Sequence, residues 1–267
     1  MRSFYMTGSC MRFVPATTLP RMSSNGLARH RCARARFVGW TLTFLLTGAC
    51  GTGGVTTTAG PDGPAQTAYA PPAGKGPIVV VLSGHSGPGL YHGYAAELSR
   101  LGYYSVLLDG KDILTREQDG AGNLRKAIER AQRSSQAVPG KAAVIGFSQG
   151  GGGALAHGAN MPDLVSTVVA YYPQTNFVSD IGRLAARFQV PVLVLAGAAD
   201  RYHNCCLIES MRAMQAAAAE RQAQFELVVY PYADHGFNLR TSAYRGEDDA
   251  DAWRRTTETL RRYHPVP

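Results

Sequence analysis

Residues 78–82, Ile-Val-Val-Val-Leu, are apolar without a polar break. A strand wet on one face would alternate, so this run predicts a strand buried on both faces of a sheet. Strand-like runs recur at 104–108, 142–147, 165–171, 190–195 and 225–230. Between them the period lengthens. Leu124, Ala127, Ile128 and Ala131 fall at helical spacing and predict a helix over 121–134. Further helices are expected over 91–101, 150–160, 178–188, 207–221 and 248–263. Short apolar strands alternating with helices predict a mostly parallel sheet with helices on both faces. Right-handed crossovers then bring the strand C-terminal ends to one edge, where sites form.

The pattern fades toward the N-terminus. Residues 51–76 are rich in Gly, Thr, Ala and Pro, show no apolar period, and read as a flexible tether before a domain at 77–267. Residues 1–50 read as an export signal. Arg29, Arg31, Arg34 and Arg36 precede the ten apolar-rich residues 37–46, Phe-Val-Gly-Trp-Thr-Leu-Thr-Phe-Leu-Leu. That stretch is short of the roughly 20 residues a membrane span needs. Thr47-Gly48-Ala49-Cys50 then looks like a bacterial lipoprotein processing site, with Cys50 as the lipidated residue and Met1 or Met22 as the start. The expectation is a periplasmic or cell-envelope protein that touches membrane only through that lipid.

Charge agrees with this division. The chain carries 27 Lys plus Arg against 19 Asp plus Glu, but seven of the arginines precede residue 50 and no acid does. The body is close to neutral, which argues against a nucleic-acid partner. Of the five cysteines, only Cys205 and Cys206 lie in the expected domain. Neighbouring cysteines sit closer than disulfide geometry favours, so they are expected as free thiols.

The candidate chemistry starts at Gly146-Phe147-Ser148-Gln149-Gly150, a G-x-S-x-G pattern between a predicted strand and a predicted helix. Four glycines, Gly150 to Gly153, open that helix, although each costs about 1 kcal/mol against alanine there. Close packing of strand, turn and helix would explain them. A serine hydroxyl needs a base. His235, in the loop Tyr-Pro-Tyr-Ala-Asp-His-Gly-Phe after the last strand, is the candidate, ahead of His30, His85, His92, His157, His203 and His264. Asp200, at the end of Pro-Val-Leu-Val-Leu-Ala-Gly-Ala-Ala-Asp, completes the order Ser, Asp, His and would orient the imidazole. Asp234, Asp180 and Asp109 are its rivals. The backbone N–H groups of Gln149 and His85, with Ser86 second, are expected to hold the oxyanion. Metal sets built on His85 with His92, or on His203 with Cys205 and Cys206, cannot be completed from sequence, and neither metal nor cofactor is expected.

On the motifs Val-Val-Val-Leu-Ser-Gly-His-Ser-Gly, Gly-Phe-Ser-Gln-Gly-Gly-Gly, Pro-Val-Leu-Val-Leu-Ala-Gly-Ala-Ala-Asp and Tyr-Pro-Tyr-Ala-Asp-His-Gly-Phe, residues 77–267 resemble the dienelactone hydrolase family of α/β-hydrolases. The resemblance implies an α/β-hydrolase fold, cofactor-free hydrolysis of a small-molecule ester or lactone, and, with Ser148 where the namesake enzymes carry cysteine, an acyl-enzyme on Ser148 served by His235 and Asp200. The alternatives are an acyltransferase or peptidase on the same scaffold, or a catalytically silent envelope-binding lipoprotein.

Overall fold

The computed structural model describes residues 54–60 and 63–267. The leader reading, its apolar stretch and the lipidation residue Cys50 lie outside these residues. Among the described residues, no helix is long and apolar enough to cross a membrane.

Among the described residues, eight strands form one sheet in the order β1-β2-β4-β3-β5-β6-β7-β8. They are β1 (Val55–Gly60), β2 (Gly63–Tyr69), β3 (Gly76–Leu82), β4 (Tyr104–Leu108), β5 (Ala137–Phe147), β6 (Val165–Tyr171), β7 (Val192–Gly197) and β8 (Phe225–Tyr230). All neighbours from β4 to β8 run parallel, whereas β1 and β2 pair antiparallel and β2 joins β4 antiparallel. Among the described residues, six α-helices cover the sheet: α1 (His92–Arg100), α2 (Gly120–Gln132), α3 (Gln149–Ala156), α4 (Ile181–Ala185), α5 (Ile208–Glu220) and α6 (Gly246–Tyr263).

Strand alternation divides the core in two. Ile78, Val80 and Leu82 of β3 belong to one buried cluster with Leu124 and Ile128 of α2 and, further along the sheet, Met211 and Met214 of α5. Val79 and Val81 point the other way, to Leu98 of α1 and Leu260 of α6. Every residue of β3 is buried, as its unbroken apolar run requires. Helix starts are fixed locally. Asp119 caps α2 by accepting from the Gly122 N–H at 3.0 Å, and Asp180 caps α4 by accepting from Arg183 N–H at 3.0 Å.

The expected tether is corrected over the described part of 51–76. Val55–Gly60 and Gly63–Tyr69 are strands, and β2 pairs Gln66 with Leu108 and Tyr69 with Ser105 of β4. Thr, Gly, Ala and Gln give too little hydrophobic contrast for a periodicity, so β4 decides this segment by offering an open backbone edge. The helix expected over 150–160 stops at Ala156, and a single 3-10 turn, Gly158–Asn160, follows.

Candidate active site

Ser148 stands at the turn between β5 and α3 with φ 50° and ψ −114°, a backbone conformation that non-glycine residues seldom adopt. Three hydrogen bonds hold it there. Its N–H donates to the Tyr171 carbonyl at 3.0 Å, and its carbonyl accepts from Gly152 N–H at 2.9 Å and Gln174 N–H at 2.8 Å. The glycine run makes the turn possible. A Cβ on Gly150 would lie 2.4 Å from the carbonyl oxygens of both Leu82 and Ser83, and one on Gly152 would lie 2.4 Å from the Gln174 carbonyl oxygen. Any larger residue would push α3 off β3 or off the segment after β6.

Asp200 follows β7 and is fully buried. Its Oδ1 accepts from the Tyr202 N–H at 3.0 Å, which aims Oδ2 at His235. His235 Nδ1–H donates to that oxygen at 2.8 Å, and Nε2 lies 3.0 Å from Ser148 Oγ. A carboxylate only accepts, so the proton is assigned to Nδ1 and Nε2 is left to accept from the Ser148 hydroxyl. The imidazole is clasped by two tyrosines. Tyr202 stacks on one face, with centroids 4.4 Å apart and planes 9° from parallel, and Tyr172 meets the ring edge-on at 4.7 Å. Tyr172 itself is fixed by its hydroxyl, which donates to Asn238 Oδ1 at 2.7 Å. Burial pushes the Tyr172 pKa well above its ordinary value, so it remains a neutral donor.

The rival aspartates have other work. Asp234 accepts from the backbone N–H of His235 at 2.7 Å, Asp180 caps α4, and Asp109 accepts from Lys111 N–H at 3.0 Å. The loop after β3 meets the start of α3 where Gly150 N–H donates to the Ser83 carbonyl at 3.1 Å. Among the described residues, the N–H groups of Gln149 and His85 donate to no other group. His85 has an exposed side chain, and His92 bonds through Nδ1 to the Tyr69 hydroxyl. A cavity of about 490 Å³ lies between α1 and α6, walled by Tyr91, Tyr94, Asn238, Leu239 and Trp253.

Two expectations are corrected at this site. Cys205 and Cys206 are not free thiols: they form a disulfide, with Cα atoms 3.8 Å apart. The second correction concerns the function read from Ser148, His235 and Asp200 as a self-contained acyl-enzyme triad. His235 also belongs to a group with Cys205 and Cys206, whose donor atoms all lie within 4.8 Å of one another. One imidazole therefore has two neighbours, a hydroxyl and a cysteine pair. A serine nucleophile is not assigned, because proximity to His235 no longer singles out Ser148. From sequence the cysteines group only with His203, as a metal set that cannot be completed. Only the fold folds the loop after Asp200 back beneath His235.

A family model described as "Dienelactone hydrolase family" matches residues 88–264. The chain belongs to the dienelactone hydrolase family. A curated relative, the "Putative carboxymethylenebutenolidase" of Escherichia coli O157:H7, is 30% identical over 126 residues, or 45% of each chain. The chain thus aligns with about half the length of the curated relatives it matches. Solved structures of the family align more completely. The "Putative Dienelactone Hydrolase" of Klebsiella pneumoniae subsp. pneumoniae MGH 78578 superposes with a TM-score of 0.66 at 23% identity, covering 78% of this chain and 98% of that one. The dienelactone hydrolase-like promiscuous phosphotriesterase P91, from metagenomic libraries, gives a TM-score of 0.64 at 18% identity, covering 81% and 99%. At these identities the structural likeness speaks for the dienelactone hydrolase fold.

Proposed function

We propose that this protein is a carboxylic ester hydrolase acting on small-molecule esters or lactones. The observation that carries the reading is the buried Asp200 carboxylate holding His235 at 2.8 Å, at the C-terminal edge of the sheet of a dienelactone hydrolase family chain. The designation of the curated relatives as carboxymethylenebutenolidases supports an ester or lactone substrate.

The proposed site residues are Ser148, Asp200 and His235, with the N–H groups of Gln149 and His85 as carbonyl-oxygen donors. Asp200 keeps the proton on Nδ1 and stabilises the imidazolium. Nε2 takes the proton of the attacking group and returns it to the leaving oxygen as the ester C–O bond breaks. Each backbone donor aimed at the oxyanion contributes about 3 kcal/mol to such a step. A second reading is favoured by the grouping of Cys205 and Cys206 with His235. Once reduced, a thiolate beside an imidazole can carry an acyl group, which suits an acyltransferase on the same scaffold.

The test is turnover of p-nitrophenyl esters of graded length by the full chain, with and without a dithiol, beside His235→Gln. Adducts of a fluorophosphonate and of iodoacetamide are mapped in parallel. Turnover that disappears in the variant supports the hydrolase. Dependence on the dithiol, with label on the cysteines, favours the acyltransferase reading. A folded chain that cleaves no ester under either condition overturns both.

A further inference from the structure

We propose that Cys205, Cys206 and His235 form a redox-gated site for a soft divalent cation of the zinc–cadmium class. The site is closed while the cysteines are joined and opens when a dithiol or phosphine reduces them. This goes beyond ester hydrolysis and does not depend on which atom attacks the ester.

The three side chains offer two sulfurs and an imidazole nitrogen, all within 4.8 Å of one another. Zinc–sulfur bonds of about 2.3 Å and zinc–nitrogen bonds of about 2.0 Å place tetrahedral donors roughly 3.5–4 Å apart, so the two sulfurs must part after reduction, while the imidazole already lies within reach of both. Thiolate and imidazole donors select soft cations over calcium or magnesium. Cys205 is 6% exposed and Cys206 is 1% exposed. A buried thiolate pair without a cation is costly, and a bound divalent ion offsets that cost.

The backbone around the pair is anchored. The Cys205 carbonyl accepts from both Thr175 N–H at 2.7 Å and Thr175 Oγ1 at 3.1 Å, and the neighbouring Gln174 N–H binds the Ser148 carbonyl. The chain can therefore keep its course while the two side chains turn about their Cα–Cβ bonds and move the sulfurs. Where the cation takes Nε2 and displaces Ser148, Asp200 stays on Nδ1 as the carboxylate partner that metal-bound histidines commonly have.

The steps balance. The reductant passes two electrons and two protons to the disulfide, which becomes two thiols as the reductant is oxidised. The cation then displaces one proton from each thiol to the buffer and takes a ring nitrogen of His235. Both ring nitrogens are already engaged, one by Asp200 and one by Ser148, so occupancy breaks one of those contacts. The imidazole is withdrawn from proton transfer, and the cation inhibits only the reduced protein.

The experiment uses the full chain with Cys10, Cys32 and Cys50 replaced by serine, so that only the pair reports. Cadmium is titrated into the oxidised and phosphine-reduced forms, and the thiolate–cadmium absorption band in the ultraviolet is followed. Expected are one cadmium per reduced chain, no band in the oxidised chain, loss of the band in Cys206→Ser, and affinity about 10–100-fold weaker in His235→Gln. Circular dichroism certifies that each form is folded. A folded, reduced chain without the band overturns the proposal. So does a band of equal affinity in His235→Gln, which would mark a dithiol site that leaves the histidine free. Because the band is read without substrate, failure of this proposal and failure of the hydrolase reading are separate results.

Discussion

Asp200 Oδ2 and His235 Nδ1 lie 2.8 Å apart although 35 residues separate them in the chain, and the carboxylate is wholly buried. Strand β7 delivers the aspartate, the loop after β8 delivers the histidine, and the two strands are neighbours in the sheet. A buried carboxylate with its partner removed is destabilising, so the contact serves both folding and proton transfer.

Replacing Asp200 with Asn keeps the shape and removes the pure acceptor. The asparagine can present an N–H to Nδ1 and favour the other tautomer. Ester turnover is expected to fall about 10³–10⁴-fold in kcat with little change in KM. Steady-state kinetics on the folded variant check this, and a variant within tenfold of the parent would show that tautomer control is not needed.

Gly150→Ala places a Cβ 2.4 Å from two carbonyl oxygens. Neither carbonyl is the end of a flexible side chain. A loss of about 3 kcal/mol or outright failure to fold is expected, measured by urea unfolding. An unchanged midpoint would mean that α3 slides freely along β3.

The strands before residue 77 predict the fate of a shortened chain. Starting at Pro77 removes β1 and β2 and strips the β4 edge, where Gln66 to Tyr69 pair with Leu108 to Ser105. Such a chain should melt lower and aggregate more than one starting at Gly54. Equal melting and a monodisperse shortened chain would show that β2 adds nothing to the sheet.

His264 is buried, stacked at 6.0 Å on Tyr103, with Nδ1 3.0 Å from Ser166 Oγ. Burial pushes its pKa down to about 4 from the ordinary 6.5. The folded state thus binds this proton later than the unfolded state does. Its contribution is full above about pH 6.5, is lost as pH falls from 6.5 toward 4, and changes by at most about 3 kcal/mol. Unfolding of the parent and of His264→Gln at pH 7.5 and pH 4.5 checks it: the stability gap between the two pH values should shrink in the variant. An equal gap in both chains refutes the assignment.

Trp253 and Tyr94 meet edge-on at 5.0 Å in the wall of the cavity between α1 and α6. If long acyl or alcohol groups rest there, Trp253→Ala should lower kcat/KM for long p-nitrophenyl esters by roughly tenfold and spare the acetate. A uniform change across chain lengths would place the substrate elsewhere.

The parts of the fold that were legible in the sequence were those whose signal is local. Apolar-rich runs marked β3 to β8, most clearly β3, whose residues are all buried, because a strand covered on both faces favours apolar side chains throughout. The pattern Gly146 to Gly150, and the ends of two later strands, put Ser148, Asp200 and His235 forward as candidates before any distance was known. The strands β1 and β2 were not legible, since their Thr, Gly and Ala side chains bury little and the open edge of β4 selects their conformation. Nor was the neighbourhood of His235. Tyr172 reaches it from just after β6, and Tyr202 and the joined cysteines from the loop after β7, and no spacing rule relates those loops to the one that carries His235. Sequence by itself determined where the chain is apolar enough to form a covered parallel sheet and which residues end its strands. Tertiary structure alone decided that Tyr172, Tyr202 and the joined cysteines stand beside His235, because side chains far apart in the chain become neighbours only when strand order and crossover handedness bring their loops to one edge.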